Sequence, residues 1–111
     1  MSLRTEQSRF ALMISDLIIF AYEQGYELTF GDSYRDPRSH GHQGNRIAYG
    51  RSVSAHKNRL AVDFNLFKAG IFLSRTEDHE ELGLYWESLG GTWGGRWQDG
   101  NHYSLAYQGV K

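Results

Sequence analysis

Between Leu60 and Phe67 the chain alternates with a period of two. Leu60, Val62, Phe64 and Leu66 fall on one side, and Ala61, Asp63, Asn65 and Phe67 on the other. That spacing predicts a strand with one face in a core. Asp63 then lies opposite four large apolar residues, between the small Ala61 and the polar Asn65. Upstream, Phe10, Met13, Leu17 and Phe20 or Ala21 recur at helical spacing, and Ile14 and Ile18 widen the stripe. This predicts an amphipathic helix over residues 5 to 24, with Thr5 as N-cap and Gly25 as stop, packed against a sheet.

The remaining pattern is more broken. Tyr26 to Phe30 predicts a short strand closed by Gly31, and the lone proline, Pro37, disfavours its continuation. Residues 38 to 53 predict a long polar loop, with three glycines, two histidines and three arginines. Lys68-Ala69-Gly70 reads as a turn and Ile71 to Leu73 as a strand. Ser74 with Glu77 forms a capping box for a helix whose stripe is Leu82, Tyr85 or Trp86, and Leu89, stopped at Gly90-Gly91. Residues 92 to 100, TWGGRWQDG, look too irregular for an element. His102 to Tyr107 alternates again, with His102, Ser104 and Ala106 on one face. The expected fold class is α+β: a small antiparallel or mixed sheet of about four strands, with helices packed on one side.

Composition narrows the functional classes. A chain of 111 residues with 40% hydrophobic side chains fits one folded domain spanning 1–111, and not a disordered segment. A net charge of −1 gives no electrostatic reason to expect a nucleic-acid or membrane partner. No apolar run approaches a membrane span, and the N-terminus carries no signal-peptide pattern, so synthesis in a cytosol is expected. A monomer is expected. With no cysteine, a transition metal would have to use histidine and carboxylate ligands.

Four residues supply that chemistry: His56 leading into the central strand, Asp63 on its polar face, Asp99 in the glycine-rich loop, and His102 opening the last strand. Catalytic zinc takes three protein ligands, keeps one position open for water and lowers that water's pKa towards about 7. A neighbouring carboxylate must then take the proton and pass it to the leaving amine, a role open to Asp99. Taken alone, H-x6-D and D-x2-H are common spacings, and each residue has a structural alternative. Asp63 could be a carboxylate hydrogen-bonded to backbone. Arg35 could pair with Asp32 or Asp36. His40 and His42 read as loop surface, and His79, in the charged run EDHEE, as a solvated position on the later helix. Trp93 and Trp97 could line a cleft or cap the core.

The run Ser54-x-His56-x4-Ala61-x-Asp63 resembles the S-x-H-x-x-G-x-A-x-D signature of zinc peptidases that cut D-amino-acid-containing peptides of bacterial cell walls. These are D-alanyl-D-alanine carboxypeptidases and dipeptidases and the L-alanyl-D-glutamate endopeptidases of phage endolysins, with a fold shared by hedgehog signalling domains. The resemblance extends over nearly the whole chain, through the YR segment to the terminal D-x-x-H. It implies one zinc ion held by His56, Asp63 and His102, with Asp99 as catalytic base. It further implies Arg35 as stabiliser of the oxyanion and Ser54 as a substrate-holding residue. Arg59 stands where the signature has glycine, and Asn101 where tryptophan often precedes the last histidine. Asp in place of Glu as the base, the short chain and the wording RLAVDFNLF look closer to the phage enzymes.

The reading that follows is a zinc peptidase of peptidoglycan stem peptides, an L-alanyl-D-glutamate endopeptidase of endolysin type. It would be encoded by a phage or prophage and act on the bacterial cell wall. The alternatives are a D-Ala-D-Ala carboxypeptidase, a non-catalytic zinc- or wall-binding member of the fold, and a metal-dependent nuclease.

Overall fold

The computed structural model describes residues 2–31 and 55–111. Helix α1 (Leu3–Glu23) leads into strand β1 (Tyr26–Phe30). Strands β2 (Ala61–Lys68) and β3 (Ile71–Leu73) follow, then a 3-10 turn (Thr76–His79) and helix α2 (Glu80–Ser88). Strand β4 (Thr92–Trp93), a second 3-10 turn (Gly94–Trp97) and strand β5 (His102–Ser104) complete the order. The fold is α+β, and every strand pairing described is antiparallel. Among the described residues the sheet has five strands where about four were expected, in the order β1-β2-β5-β4, with β3 also paired to β2.

Strand β2 is the hub. One edge pairs with β1 from Phe64 to Lys68; the other pairs first with β5, from Ala61 to Asp63, and then with β3, from Leu66 to Lys68. The alternation predicted from sequence holds: Leu60, Phe64 and Leu66 are fully buried, together with Tyr103 and Leu105 from the β5 segment. Helix α1 brings Phe10, Met13, Leu17 and Ala21 to this core, and α2 brings Leu82 and Trp86. Each fully buried side chain of this kind contributes about 1.5–3 kcal/mol. Trp86 joins the layers, meeting Phe10 and Tyr103 edge-on while its indole N–H donates to the Ser104 carbonyl at 2.8 Å. Among the described residues, the opposite face of β2, with Ala61, Asp63 and Asn65, contributes nothing to this core.

Several local expectations are corrected. Ser2, not Thr5, caps α1, its Oγ accepting the Thr5 N–H at 3.1 Å. The box opening the later helix sits one residue on: the Arg75 N–H donates to Asp78 Oδ2 at 3.0 Å, because the chain first winds a 3-10 turn. The TWGGRWQDG segment does form a strand and a turn, with Trp93 buried and opposite Tyr103. Strand β5 is shorter than its alternation suggested, since β2 begins at Ala61 and offers no ladder partner beyond; one further bond runs from Leu105 N–H to the Leu60 carbonyl. The long polar loop of residues 38 to 53, with His40 and His42, lies outside the described residues.

His79 is the clearest reversal. Its charged neighbours suggested solvent, yet it is 3% exposed and shares a 2.7 Å hydrogen bond with the Tyr103 hydroxyl. It ends the 3-10 turn, and that tighter winding directs it inward to the sheet. Burial lowers its pKa to about 4 against a smaller opposing pull from Asp78. The unfolded chain therefore binds a proton between about pH 6.5 and 4 that the native state refuses. Stability should fall through that window by on the order of 3 kcal/mol. Urea melts across it should show the loss, and His79→Gln should flatten the slope; an unchanged slope would contradict the buried neutral imidazole.

Candidate metal centre

The register of β2 against β5 places Asp63 directly opposite His102. Residues so paired have Cβ atoms about 4.5–5.5 Å apart on one face. Their neighbours Val62 and Tyr103 are also paired and point into the core, so the hydrophobic pattern on one side holds the two polar groups together on the other. His56 comes from the turn at residues 55–59 that precedes β2. That turn is anchored by Arg59 N–H to His56 C=O and Leu60 N–H to Ala55 C=O, both 3.0 Å. Gln7 of α1 ties it to the helix, donating to the Asn58 carbonyl at 2.8 Å.

The three side chains converge. Nε2 of His56 and Nδ1 of His102 each lie 3.5 Å from the same atom, Asp63 Oδ1. One ligand atom from each residue falls within 4.8 Å of the others. At 3.5 Å these contacts are attractive but too long for well-formed hydrogen bonds. Asp63 Oδ1 is thus buried with no hydrogen-bond partner among the described residues. A tetrahedral ion with bonds of 2.0–2.1 Å separates its ligand atoms by about 3.4 Å, so the spacing suits one zinc-sized cation. Burial alone would raise the Asp63 pKa, but the facing imidazoles of His102 and His56 outweigh it and hold the group at about 2. Asp63 is therefore an ionised, proton-free donor throughout the neutral range.

Two glycines let the backbone approach these ligands. Gly31 donates its N–H to the Asp63 carbonyl at 2.7 Å, and a Cβ there would stand only 3.2 Å from Asp63 Cβ. A Cβ on Gly94 would come within 2.7 Å of His102 Cβ and would collide with the Asp99 carbonyl. Asp99 itself is exposed, and its backbone is pinned. Its N–H donates to Gly94 C=O at 2.9 Å, its carbonyl accepts from His102 N–H at 3.1 Å, and the next residue, Gly100, donates to Thr76 Oγ1 at 3.2 Å. Its carboxylate is not part of the three-ligand group. Arg35 and Ser54 lie outside the described residues.

The tryptophans divide their roles. Trp93 is core, its indole N–H donating to the Gly100 carbonyl at 2.8 Å and so bracing the Asp99 loop from beneath. Trp97 is 42% exposed, with its ring centroid 5.6 Å from that of His102, and forms one wall beside the ligands. Sequence reading missed the support from Gln7, Gly31 and Gly94. The WGG run was the one available signal for Gly94.

Arg59 explains its own departure from the signature glycine: it adopts φ +58°, the left-handed region that glycine enters without penalty. Arg59→Gly should therefore raise stability by about 0.5–1 kcal/mol, the left-handed penalty less the added freedom of the unfolded chain. Thermal melts should show a gain, with the affinity for added zinc unchanged. Gly94→Ala should displace His102 and weaken zinc affinity at least about tenfold, as losses of supporting groups around a metal do. Competition against a chromophoric chelator measures this, and unaltered affinity would refute the packing argument.

A family model described as D-alanyl-D-alanine carboxypeptidase matches residues 48–105, just over half of the chain. No curated protein matches it. The matched span contains His56, Asp63 and His102 as well as Asp99, so it covers the whole convergence described above. The chain belongs to the D-alanyl-D-alanine carboxypeptidase family of zinc peptidases.

Proposed function

We propose that this protein is a zinc-dependent peptidase that cleaves the L-Ala–D-Glu bond of peptidoglycan stem peptides, in the manner of an endolysin. The observation that carries the hydrolytic part is the gathering of His56, Asp63 and His102 into a three-ligand group at the polar face of β2, within the matched family span. Zinc held there would supply Lewis-acid chemistry at the scissile carbonyl. The protein's residues supply the rest. Asp99 takes the proton of the attacking water and delivers it to the leaving amine, which requires a carboxylate fixed near the ligands but not among them. The pinned loop between Gly94 and His102 provides such a mount. Arg35 stabilises the developing oxyanion and Ser54 holds substrate, roles that rest on the sequence resemblance. Trp97 offers an apolar wall to the bound peptide.

The choice of bond rests on the motif wording around β2 and on aspartate as the base. The matched family's own description favours a second reading, release of the terminal D-Ala. Digestion of purified peptidoglycan separates them: a new D-Glu amino terminus is expected, and free D-Ala as sole product would overturn the endopeptidase assignment. Activity should vanish on dialysis against chelator and return with zinc. Asp99→Asn should lower kcat by about 10²–10⁴ while leaving the zinc stoichiometry at one per chain. Full activity in that variant would remove Asp99 from the mechanism.

A further inference from the structure

Asp99 is exposed, but the peptide that follows it is held at both of its polar ends. The Asp99 carbonyl accepts from the His102 N–H at 3.1 Å, and the Gly100 N–H donates to Thr76 Oγ1 at 3.2 Å. A third bond, from the Asp99 N–H to the Gly94 carbonyl at 2.9 Å, fixes the peptide that precedes it. The bonds to Gly94 and His102 are internal to the segment 94–102, so they set the shape of the loop and not its orientation. The Thr76 bond reaches the peptide of Asp99 from another element, 24 positions away. Trp93 and Phe64 also hold the loop, but at the Gly100 and Asn101 carbonyls, one and two peptides further from Asp99.

Thr76 is a firm mount. It opens the 3-10 turn Thr76–His79, which is closed at its start by the Arg75 N–H on Asp78 Oδ2 and seated at its end by the buried His79 on the Tyr103 hydroxyl. The turn and the loop face each other across one cleft, lined by Thr76, Asp99, Gly100 and Asn101 among others. Their backbones approach closely: a Cβ on Gly100 would stand 2.6 Å from Thr76 Cα, so glycine is required there. Gly100 is buried, and a buried N–H deprived of its acceptor is costly.

We propose that Thr76 is a positioning residue for the catalytic base, its hydroxyl oxygen orienting the peptide on which the Asp99 carboxylate is mounted. The inference rests on the peptidase reading above, which makes Asp99 the base. With both flanking peptides fixed, Asp99 keeps only the rotations of its own side chain, which fall into a few staggered wells. Proton transfer needs the carboxylate within about 2.6–3.2 Å of the group it deprotonates. A misplacement of about 1 Å costs about a hundredfold in rate. Thr76 lies outside the three-ligand group and acts through Asp99.

The test uses Thr76→Val, which keeps the shape and removes the acceptor, and Thr76→Ser, which keeps the acceptor. On the zinc-loaded enzyme with stem peptides, Thr76→Val should lower kcat about 10–100-fold with little change in KM. Thr76→Ser should recover most of the rate, and zinc affinity should be the same in all three proteins. In an Asp99→Asn background Thr76→Val should cost nothing further, because its effect passes through the carboxylate. Equal losses in the two backgrounds, or a Thr76→Val enzyme as fast as the wild type, would overturn the assignment. A second measurement needs no turnover. With cobalt(II) in place of zinc, paramagnetic shifts of the Asp99 side-chain resonances report where the carboxylate stands relative to the metal. Thr76→Val should move them and Thr76→Ser should not; identical shifts in all three proteins would sink the proposal. Failure of the wild type to cut any wall peptide would instead defeat the peptidase reading, while the cobalt shifts still decide whether Thr76 places Asp99.

Discussion

The cross-strand pairing of Asp63 with His102 is the contact on which the rest of the site depends. The two ligands are 39 positions apart in sequence, and their meeting is decided by the register of a ladder only three residues long. A slip of one residue would send every β5 side chain to the opposite face. What prevents the slip is on the other side of the sheet. Tyr103 and Leu105 must lie in the core with Leu60 and Phe64, and the Trp86 indole takes the Ser104 carbonyl. Burial of large apolar side chains thus positions a polar cluster that would not assemble by its own attractions. Two imidazoles and a buried carboxylate at 3.5 Å form no good hydrogen bonds among themselves.

Around that pairing, the remaining parts are held by short local devices. The 55–59 turn presents His56, with Arg59 forced into the left-handed region to close it. The glycines at 31 and 94 remove the Cβ atoms that would push the ligands apart. Trp93, buried below, clamps Gly100 and so fixes the loop that carries Asp99. The same loop, through Gln98 to Asn101, lines a cleft shared with Asn65 and Arg75. A single pinned segment therefore carries residues of two environments: His102 of the three-ligand group, and Gln98 to Asn101 of the cleft that Arg75 and Asn65 also line.

Much of this was legible beforehand. The period-2 run from Leu60 to Phe67 predicts both the strand and the side on which Asp63 stands, because alternation is a property of the extended backbone itself. The stripe in α1 and the strand at Tyr26–Phe30 follow equally from local periodicity. The ligand set His56, Asp63 and His102 came from the motif resemblance, and the fold brings those three together. Spacing alone could not have selected them from five histidines.

What the chain could not reveal locally were matters of distance between segments. His79 sits in a run of charges, and only the 3-10 turn and the position of Tyr103 turn it inward, so its neutrality is a tertiary fact. The glycine–tryptophan segment has no periodicity, yet pairing with β5 makes part of it a strand and one of its glycines a contact of His102. Arg75 and Asn65 are 10 positions apart on different elements, and neither belongs to a motif; the turn at Ala69-Gly70 folds them onto one recess. Sequence by itself determined which faces are apolar and which residues can ligate, since both are encoded within a few neighbouring positions. Tertiary structure decided which distant faces meet, because that depends on strand register and close backbone approach.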